Sequence, residues 1–467
     1  MRGETWEVGG IVRVKNEGGN RRVAAKRVAL ASLGCKVNQN ELEALKGLFR
    51  SAGYQIVPFD APADVYVVHT CTVTHLSDRK SRQMIRRAVR NNPEAVVAVT
   101  GCYAQVAPEE VLRIPGVDVI VGTRDRARLV ELVEEARRTG KVVNAVREPE
   151  KGEAFEELPV TQVSRARAFL KIQEGCEEYC TYCIVPYARG PLRSRAPQRV
   201  VEEVQRLVDA GYQEVVLTGV HTGAYGRDLP GGVDLDYLLR QLLEVPGLGR
   251  LRLSSIDPLD FTPRLIRTLT EAEQICPHFH IPLQSGDDFI LQRMGRRYTA
   301  CQYLELLDRI RERRPRAAIT TDIIVGFPGE QEEHFRRTLE VVQRAAFARL
   351  HAFPYSPRAG TPAAAMPDQV PAEVKKERMA RLLHLGRRLE EEYARCFLGE
   401  TLDVLVEDQL PGGEDLWEGH TGNYLTVFFA APGDWTGRLV PVRLRDWQEG
   451  RIWGEACLTG HPLNSGW

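Results

Sequence analysis

From about residue 25 onward, short apolar runs bounded by turn residues recur with longer amphipathic stretches between them. Val28–Ser32, Val65–Val68, Val96–Val99 and Val119–Val121 are runs of this kind, while Glu41–Ala52 and Ser81–Val89 carry helical spacing. Brief β runs alternating with helices predict βα units and a parallel sheet. At 147–160 an acidic stretch interrupts the pattern and reads as a linker. A second series then follows, with predicted strands at Ala168–Gln173, Glu214–Thr218, Arg250–Ser254, His278–Pro282, Ala318–Val325 and Leu350–Phe353. Six strands with helices between them predict a partial α/β barrel, whose active site lies at the C-terminal strand ends. A long charged helix over 371–396 closes it. Beyond 397, Val404–Val406, Tyr424–Phe429, Leu439–Val442 and Arg451–Ala456 are short strands separated by Gly, Pro and Asp, the pattern of a small OB-like β-barrel. The fold class is therefore α/β. It comprises an extension (1–24), an N-terminal parallel-sheet domain (25–146), the linker (147–160), a partial barrel (161–396) and a small β-barrel (397–463).

Composition narrows this picture only a little. The 467 residues are 43% hydrophobic and 27% charged, as in an ordinary globular protein. No apolar run approaches the 18 or so residues that cross a bilayer, and residues 1–24 lack the apolar core of a signal peptide. The expectation is a cytoplasmic protein without a membrane partner. With 63 basic and 63 acidic side chains the formal charge is zero, which excludes coating nucleic acid by bulk charge but permits a local basic site.

The ten cysteines carry the chemistry. In such a chain they are expected as metal ligands or buried thiols rather than disulfides. Cys176, Cys180 and Cys183 follow directly on the first strand of the second series. Three thiolates ligate three irons of a 4Fe–4S cube and leave the fourth open, the arrangement needed to bind and reduce S-adenosylmethionine (SAM). Zinc would want a fourth nearby Cys or His, and residues 184–188 supply none. Cys35, Cys71 and Cys102 each follow a predicted strand, so in a parallel sheet all three project from one edge, where such folds bind ligands. A second three-cysteine cluster site is expected there. Cys276, Cys301, Cys396 and Cys457 lack ligand spacing and are expected as core thiols. His278 and His280 share a strand face and line the barrel mouth or pack.

The two cysteine sets together resemble the radical-SAM methylthiotransferases over nearly the whole chain. That family's fingerprint, Gly-Cys-x-x-x-Cys-x-Tyr-Cys-x-x-Pro-x-x-Arg-Gly, matches Gly175 to Gly190. The resemblance implies an N-terminal domain with an auxiliary cluster on Cys35, Cys71 and Cys102, a radical-SAM core with its cluster on Cys176, Cys180 and Cys183, and a C-terminal TRAM barrel. Leu33–Gln39, Cys71–Thr74, Asp78–Gln83, Leu217–His221 and His351–Ser356 look like the branch acting on N6-threonylcarbamoyladenosine in tRNA. The isopentenyladenosine branch is the alternative, and the branch acting on ribosomal protein S12 is more distant. His69 departs from the Asn usual before Thr-Cys, with an expected effect on hydrogen bonding near Cys71.

The implied reaction replaces the unactivated C2–H of an adenine by a methylthio group, chemistry that only a cofactor supplies. One SAM gives a methyl group to sulfur held on the auxiliary cluster; a second is cleaved to a 5′-deoxyadenosyl radical. Two 4Fe–4S clusters, SAM, an electron donor of flavodoxin or ferredoxin type, a sulfur source and a tRNA anticodon loop are the implied cofactors and partners. For SAM, the strand-end candidates are Tyr182, Gly219, Gln284, Ser285, Asp322 and Gly326. For RNA, Arg79, Arg82, Arg86 and Arg90 fall on one helical stripe beside Cys71, and Arg293, Arg296 and Arg297 form a second basic patch. From 397 to 467, eleven acids face four bases, a net of −7. Such a barrel repels phosphate, so it is expected to use a few loops around His420 and Tyr424 or to dock onto the core. The competing class is a non-catalytic, zinc-stabilised RNA-binding module.

Overall fold

The computed structural model describes residues 25–158, 166–410 and 415–458; the extension 1–24 and residues 159–165, 411–414 and 459–467 lie outside them. The chain forms two compact units, Met1–Gln162 with Tyr187–Gly190, and Val163–Pro186 with Pro191–Trp467.

The first unit holds a parallel sheet of six strands, β1 (Arg27–Ser32), β2 (Gln55–Val57), β3 (Val65–Thr70), β4 (Val96–Gly101), β5 (Val119–Ile120) and β6 (Val143–Asn144), in the order β2-β1-β3-β4-β5-β6. The continuous apolar runs follow from burial on both faces. Val65 and Val67 pack with Leu45 and Phe49 on one side, and Tyr66 and Val68 pack with Ile85 and Ala88 on the other. β2 and β6 were not anticipated; they are edge strands of three and two residues with too little periodicity to register. Helices α1 (Lys36–Ser51) and α2 (His75–Asn91) both start earlier than their apolar spacing indicates, because their polar first turns cap the sheet edge. The acidic stretch after β6 is fastened to this unit by charge. Glu153 lies 3.0 Å from Arg124, Glu156 lies 2.8 Å from Arg126, and Arg147 pairs with Asp125 at 2.6 Å.

In the second unit, β7 (Ala168–Lys171) is followed by β8 (Gln173–Glu174), which pairs antiparallel over two residues with β9 (Arg193–Ser194). The remaining strands are β10 (Glu214–Thr218), β11 (Arg250–Leu253), β12 (His278–His280), β13 (Ala318–Val325) and β14 (Arg349–Pro354). The six long strands form two parallel three-stranded sheets, β11-β10-β7 and β12-β13-β14. The bridge from Leu251 to Ile275 and a hydrogen bond from the Ile256 N–H to the His280 carbonyl link them, so the partial barrel is stitched rather than continuously laddered at its midpoint. The helix Ala372–Arg395 leads into a closed barrel of β15 (Thr401–Gln409), β16 (Leu416–Thr421), β17 (Thr426–Ala430), β18 (Leu439–Gln448) and β19 (Arg451–Ala456), in the order β15-β16-β17-β19-β18. β16 escaped the sequence reading because its Glu, Gly and His residues hide the alternation. No helix among the described residues is long and apolar enough to cross a membrane.

The turn between β16 and β17 is where the small barrel joins the core. Tyr424, held at a left-handed φ of 69°, stacks on His278 with ring centroids 4.7 Å apart. The Arg252 guanidinium sits 4.7 Å from the same ring and that of Arg167 sits 5.2 Å away. Arg252 is fully buried. It forks onto Glu214 at 2.6 and 3.0 Å and donates to the carbonyls of Gly422 and Thr421. Tyr424 and His420 are thus docking residues rather than a free loop; His420 bonds Glu407 at 2.8 Å, and Arg167 bonds the other oxygen of that carboxylate at 2.9 Å. Cys276 is a core thiol as expected, but Cys301 and Cys396 are exposed at helix ends, where a cysteine faces water like any other residue.

Replacing Arg252 with Ala removes the bidentate partner of Glu214 in a dry site, leaving Arg167 and Arg250 only at 3.8 and 3.9 Å, and takes away one of the two cations over Tyr424. The expected loss is about 3–5 kcal/mol, read as a lowered unfolding midpoint of the second unit in a denaturant titration.

Candidate active site

In the first unit, Cys35, Cys71 and Cys102 lie just past β1, β3 and β4, three adjacent parallel strands. Cys35 is the N-cap of α1, Cys71 directly follows β3, and Cys102 opens the short helix α3 (Cys102–Val106). Two glycines make the edge this tight. At Gly34 (φ +108°) a Cβ would fall 2.8 Å from the Cys71 Cβ and 2.9 Å from its sulfur; at Gly101 (φ +99°) it would fall 2.5 Å from the Thr70 carbonyl oxygen. Asn38 secures the loop, donating to the carbonyls of Leu33 and Thr70 at 2.7 and 3.1 Å while its own carbonyl oxygen lies 3.6 Å from the Cys35 sulfur. Ser81, on α2, brackets the Cys71 backbone, accepting from its N–H and donating to its C=O.

The three thiols feel one another. Burial pushes the Cys71 thiol up and the Cys102 thiol up to about 12, with the neighbouring sulfurs adding to both. Buried Cys71 and Cys102 are thus stable as neutral thiols, and with the exposed Cys35 beside them they become a strong ligand set once a cation displaces the protons. Behind it lies a buried charge network. Glu41, fully buried, is met by Arg126, by Arg189 at 2.6 and 3.1 Å, and by His69 Nε2 at 3.0 Å. His69 therefore turns toward Glu41, and burial lowers its pKa.

In the second unit, Cys176, Cys180 and Cys183 occupy the loop after β8. Burial raises the Cys180 thiol and pushes Cys183 up to about 12, again helped by the other sulfurs of the set. Thr181 ties the loop down, accepting from Ala363 N–H and donating to the carbonyls of Met294 and Arg293. Arg296 bonds both Asp257 and, at 3.0 Å, the Tyr182 hydroxyl; Arg297 pairs with Glu178. Two arginines of the expected second basic patch, Arg296 and Arg297, are thus spent on holding the cysteine loop, while Arg293 donates to the Pro328 carbonyl at 3.2 Å. Sequence spacing offered no signal for His221, whose Nδ1 lies 3.8 Å from the Cys176 sulfur and whose Nε2 lies 2.8 Å from Asp260. Burial lowers its pKa, but Asp260 and the Cys176 sulfur raise it further, to about 10.

The candidates for SAM contact divide. Asp322 lies on β13 with its carboxylate 3.2 Å from His280 Nε2, and its strand neighbour is His351. The ligand atoms of His280, Asp322 and His351 all lie within 4.8 Å of one another. Among the described residues neither cysteine trio forms so tight a group, whereas zinc at about 2.3 Å per bond would hold its sulfurs roughly 3.8 Å apart. Gln284 adopts a left-handed φ of 65°, bridging the backbone of Asp322 and Ile324. Ser285 is turned inward beside Thr338 and Asp287, so its hydroxyl serves the fold. Gly219 leaves room for Gln173, whose side chain accepts from the His221 N–H at 2.7 Å. Gly326 (φ +73°) shapes a turn in which its N–H donates to Glu330 at 2.9 Å. Tyr182 packs edge-on against Phe327.

Of the basic stripe, Arg79, Arg86 and Arg90 are exposed on α2. Lys80, Gln83, Arg86, Arg87 and Arg90 line a groove on that helix. Arg82 instead turns to the Tyr103 hydroxyl at 2.9 Å, near Glu110.

A Gly34→Ala substitution forces a side chain into a left-handed position against Cys71, for an expected cost of roughly 1–3 kcal/mol. It should appear as faster hydrogen exchange confined to residues 33–38 of the metal-free chain.

Known proteins share this organisation. Residues 170–342 match the Radical SAM superfamily model, and residues 27–122 match the Uncharacterized protein family UPF0004. The chain is 46% identical to the threonylcarbamoyladenosine tRNA methylthiotransferase MtaB of Bacillus subtilis, covering 94% of this chain and 95% of that protein. It is 41% identical to the protein of the same name from Aquifex aeolicus, over 82% and 93%. It is 39% identical to a tRNA-2-methylthio-N(6)-dimethylallyladenosine synthase from Moorella thermoacetica, over 92% and 98%. A solved radical S-adenosylmethionine methyltransferase, TsrM from Kitasatospora setae, shares the fold at a TM-score of 0.54 and 17% identity, over 73% of this chain and 77% of that one. The cysteine loop on a partial barrel, the second cysteine set on a parallel sheet and these relatives lead to one conclusion: the chain belongs to the radical-SAM methylthiotransferase family.

Proposed function

We propose that this protein methylthiolates C2 of N6-threonylcarbamoyladenosine beside the anticodon of tRNA, holding one 4Fe–4S cluster on Cys35, Cys71 and Cys102 and another on Cys176, Cys180 and Cys183. The observation that carries the choice of substrate is the polar group of His280, Asp322 and His351 on β12, β13 and β14. The imidazoles of His280 and His351 can donate to the carboxylate of a threonyl arm, and Asp322 can accept from its hydroxyl. An isopentenyl arm presents only carbon and would cover this polar group without offering it a hydrogen-bond partner. The relatives named for threonylcarbamoyladenosine, at 46% and 41% identity, support the same choice.

Both thiol trios suit iron–sulfur clusters, each giving three cysteine ligands; the histidine of the auxiliary motif, His69, is turned to Glu41 instead. When bound, the clusters and SAM supply the sulfur, the methyl group and the hydrogen-abstracting radical. The chain's own residues do the rest. Arg296 and Thr181 fix the loop that carries Cys180 and Cys183. Asp322 and Gln284 offer polar contacts to SAM, and Tyr182 packs beside it. Exposed Arg79, Arg86 and Arg90 on α2 give phosphate contacts that position the RNA. The base reaches the chemistry from a single-stranded loop, where unstacking is cheapest. An electron donor of flavodoxin or ferredoxin type and a sulfur source complete the cycle.

Nucleoside mass spectrometry of tRNA from a deletion strain should show loss of the 2-methylthio form of threonylcarbamoyladenosine alone. Loss of the isopentenyl form instead would move the assignment to the other branch. Anaerobic reconstitution should load about eight irons per chain, and about four after Cys35→Ala with Cys71→Ala; zinc without iron would mean the non-catalytic RNA-binding reading. A double Arg86→Glu, Arg90→Glu substitution should weaken tRNA binding and flatten its salt dependence by roughly two phosphate contacts.

A further inference from the structure

Arg189 is the last but one residue of the sequence fingerprint that begins at Gly175, yet residues Tyr187–Gly190 group with the first unit rather than with the cysteine loop from which they continue. There Arg189 is 1% exposed, and its Nε–H donates to the Cys102 sulfur at 3.2 Å. The rest of the fork is fully engaged. Nη1 bonds Glu41 at 2.6 Å, and Nη2 bonds Asn38 Oδ1 at 2.7 Å and Glu41 at 3.1 Å. The same Asn38 oxygen lies 3.6 Å from the Cys35 sulfur. Two of the three cysteines on this sheet edge therefore share one hydrogen-bond network, organised by one guanidinium.

A purely structural role explains this arrangement poorly. Glu41 already has Arg126 and His69 against it, so its charge does not depend on Arg189 alone. The Nε–H of Arg189 points instead at a sulfur, a weak acceptor when protonated and a strong one when it is an anionic ligand. Hydrogen bonds to ligand sulfurs draw electron density from a cluster and raise its reduction potential, and they fix the ligand's orientation.

We propose that Arg189 is a positioning residue of the auxiliary cluster, which orients Cys102 and raises the cluster's reduction potential through its hydrogen bond to that ligand. This rests on the two-cluster reading above. It gives the fingerprint arginine a task at the cluster that its own cysteine motif does not hold.

The test uses the full-length chain with Cys176, Cys180 and Cys183 changed to Ala, so that one cluster remains after anaerobic reconstitution. Iron and sulfide content, the EPR spectrum of the reduced cluster and its midpoint potential are measured for this parent, for Arg189→Gln and for Arg189→Lys. Full iron in Arg189→Gln with a more negative potential and an altered EPR spectrum is the expected result, with Arg189→Lys falling between it and the parent. An unchanged potential and spectrum in a fully loaded Arg189→Gln would overturn the proposal. Should that variant lose its iron, Arg189→Lys decides: a negative shift supports the hydrogen bond, and a potential equal to the parent's refutes it. If the parent itself holds no iron, the two-cluster reading falls and takes this inference with it.

Discussion

An ionised carboxylate sealed from water must have cations brought to it, and much of the first unit is arranged around Glu41 in this way. The acid sits in α1, a few residues after Cys35, and is fully buried. Arg126 reaches it from the segment after β5, Arg189 from the distant fingerprint segment, and His69 from the strand just before Cys71. Burial of this kind contributes little net stability, since desolvation offsets most of the Coulomb gain. What it does contribute is register: each partner is held in one place, and two of them, His69 and Arg189, are joined to segments that carry a cysteine.

The second unit repeats the device at another level. Arg252 and Glu214 pair in the dry base of the partial barrel, and Tyr424 lies under the guanidinium as a lid contributed by the small barrel. In both units a buried ion pair fixes loops that local propensity would leave loose. Strand ends and glycines at positive φ then bring the reactive groups to the sheet edge, and polar side chains such as Asn38 and Thr181 lock them there.

What was legible in the sequence was what is local. Valine-rich runs announced the buried parallel strands, and cysteines immediately after three of them announced a shared edge, because parallel strands all end on the same side. The spacing of Cys176, Cys180 and Cys183 spoke for itself. Features built from distant residues were not legible. Nothing in the neighbourhood of His221 signals Asp260 or Cys176, and nothing around Arg297 signals that Glu178 neutralises it. A basic triplet such as Arg293, Arg296 and Arg297 reads as a surface patch until its partners are known. Likewise Arg82 sits on a perfect helical stripe, and only the fold shows it turned to Tyr103. The short edge strands β2 and β6 were missed for a different reason: two or three residues have no period.

The docked turn at Tyr424 has a consequence for how the small barrel works. An RNA-binding module on a flexible tether adds to affinity by raising the local concentration of its site around the ligand, and it tolerates ligands of many shapes. A module stacked on His278 and clamped by Arg252 and Arg167 has no such freedom. Whatever surface it carries is therefore presented at one fixed distance and angle to the strands that clamp its turn, and it moves only as they move.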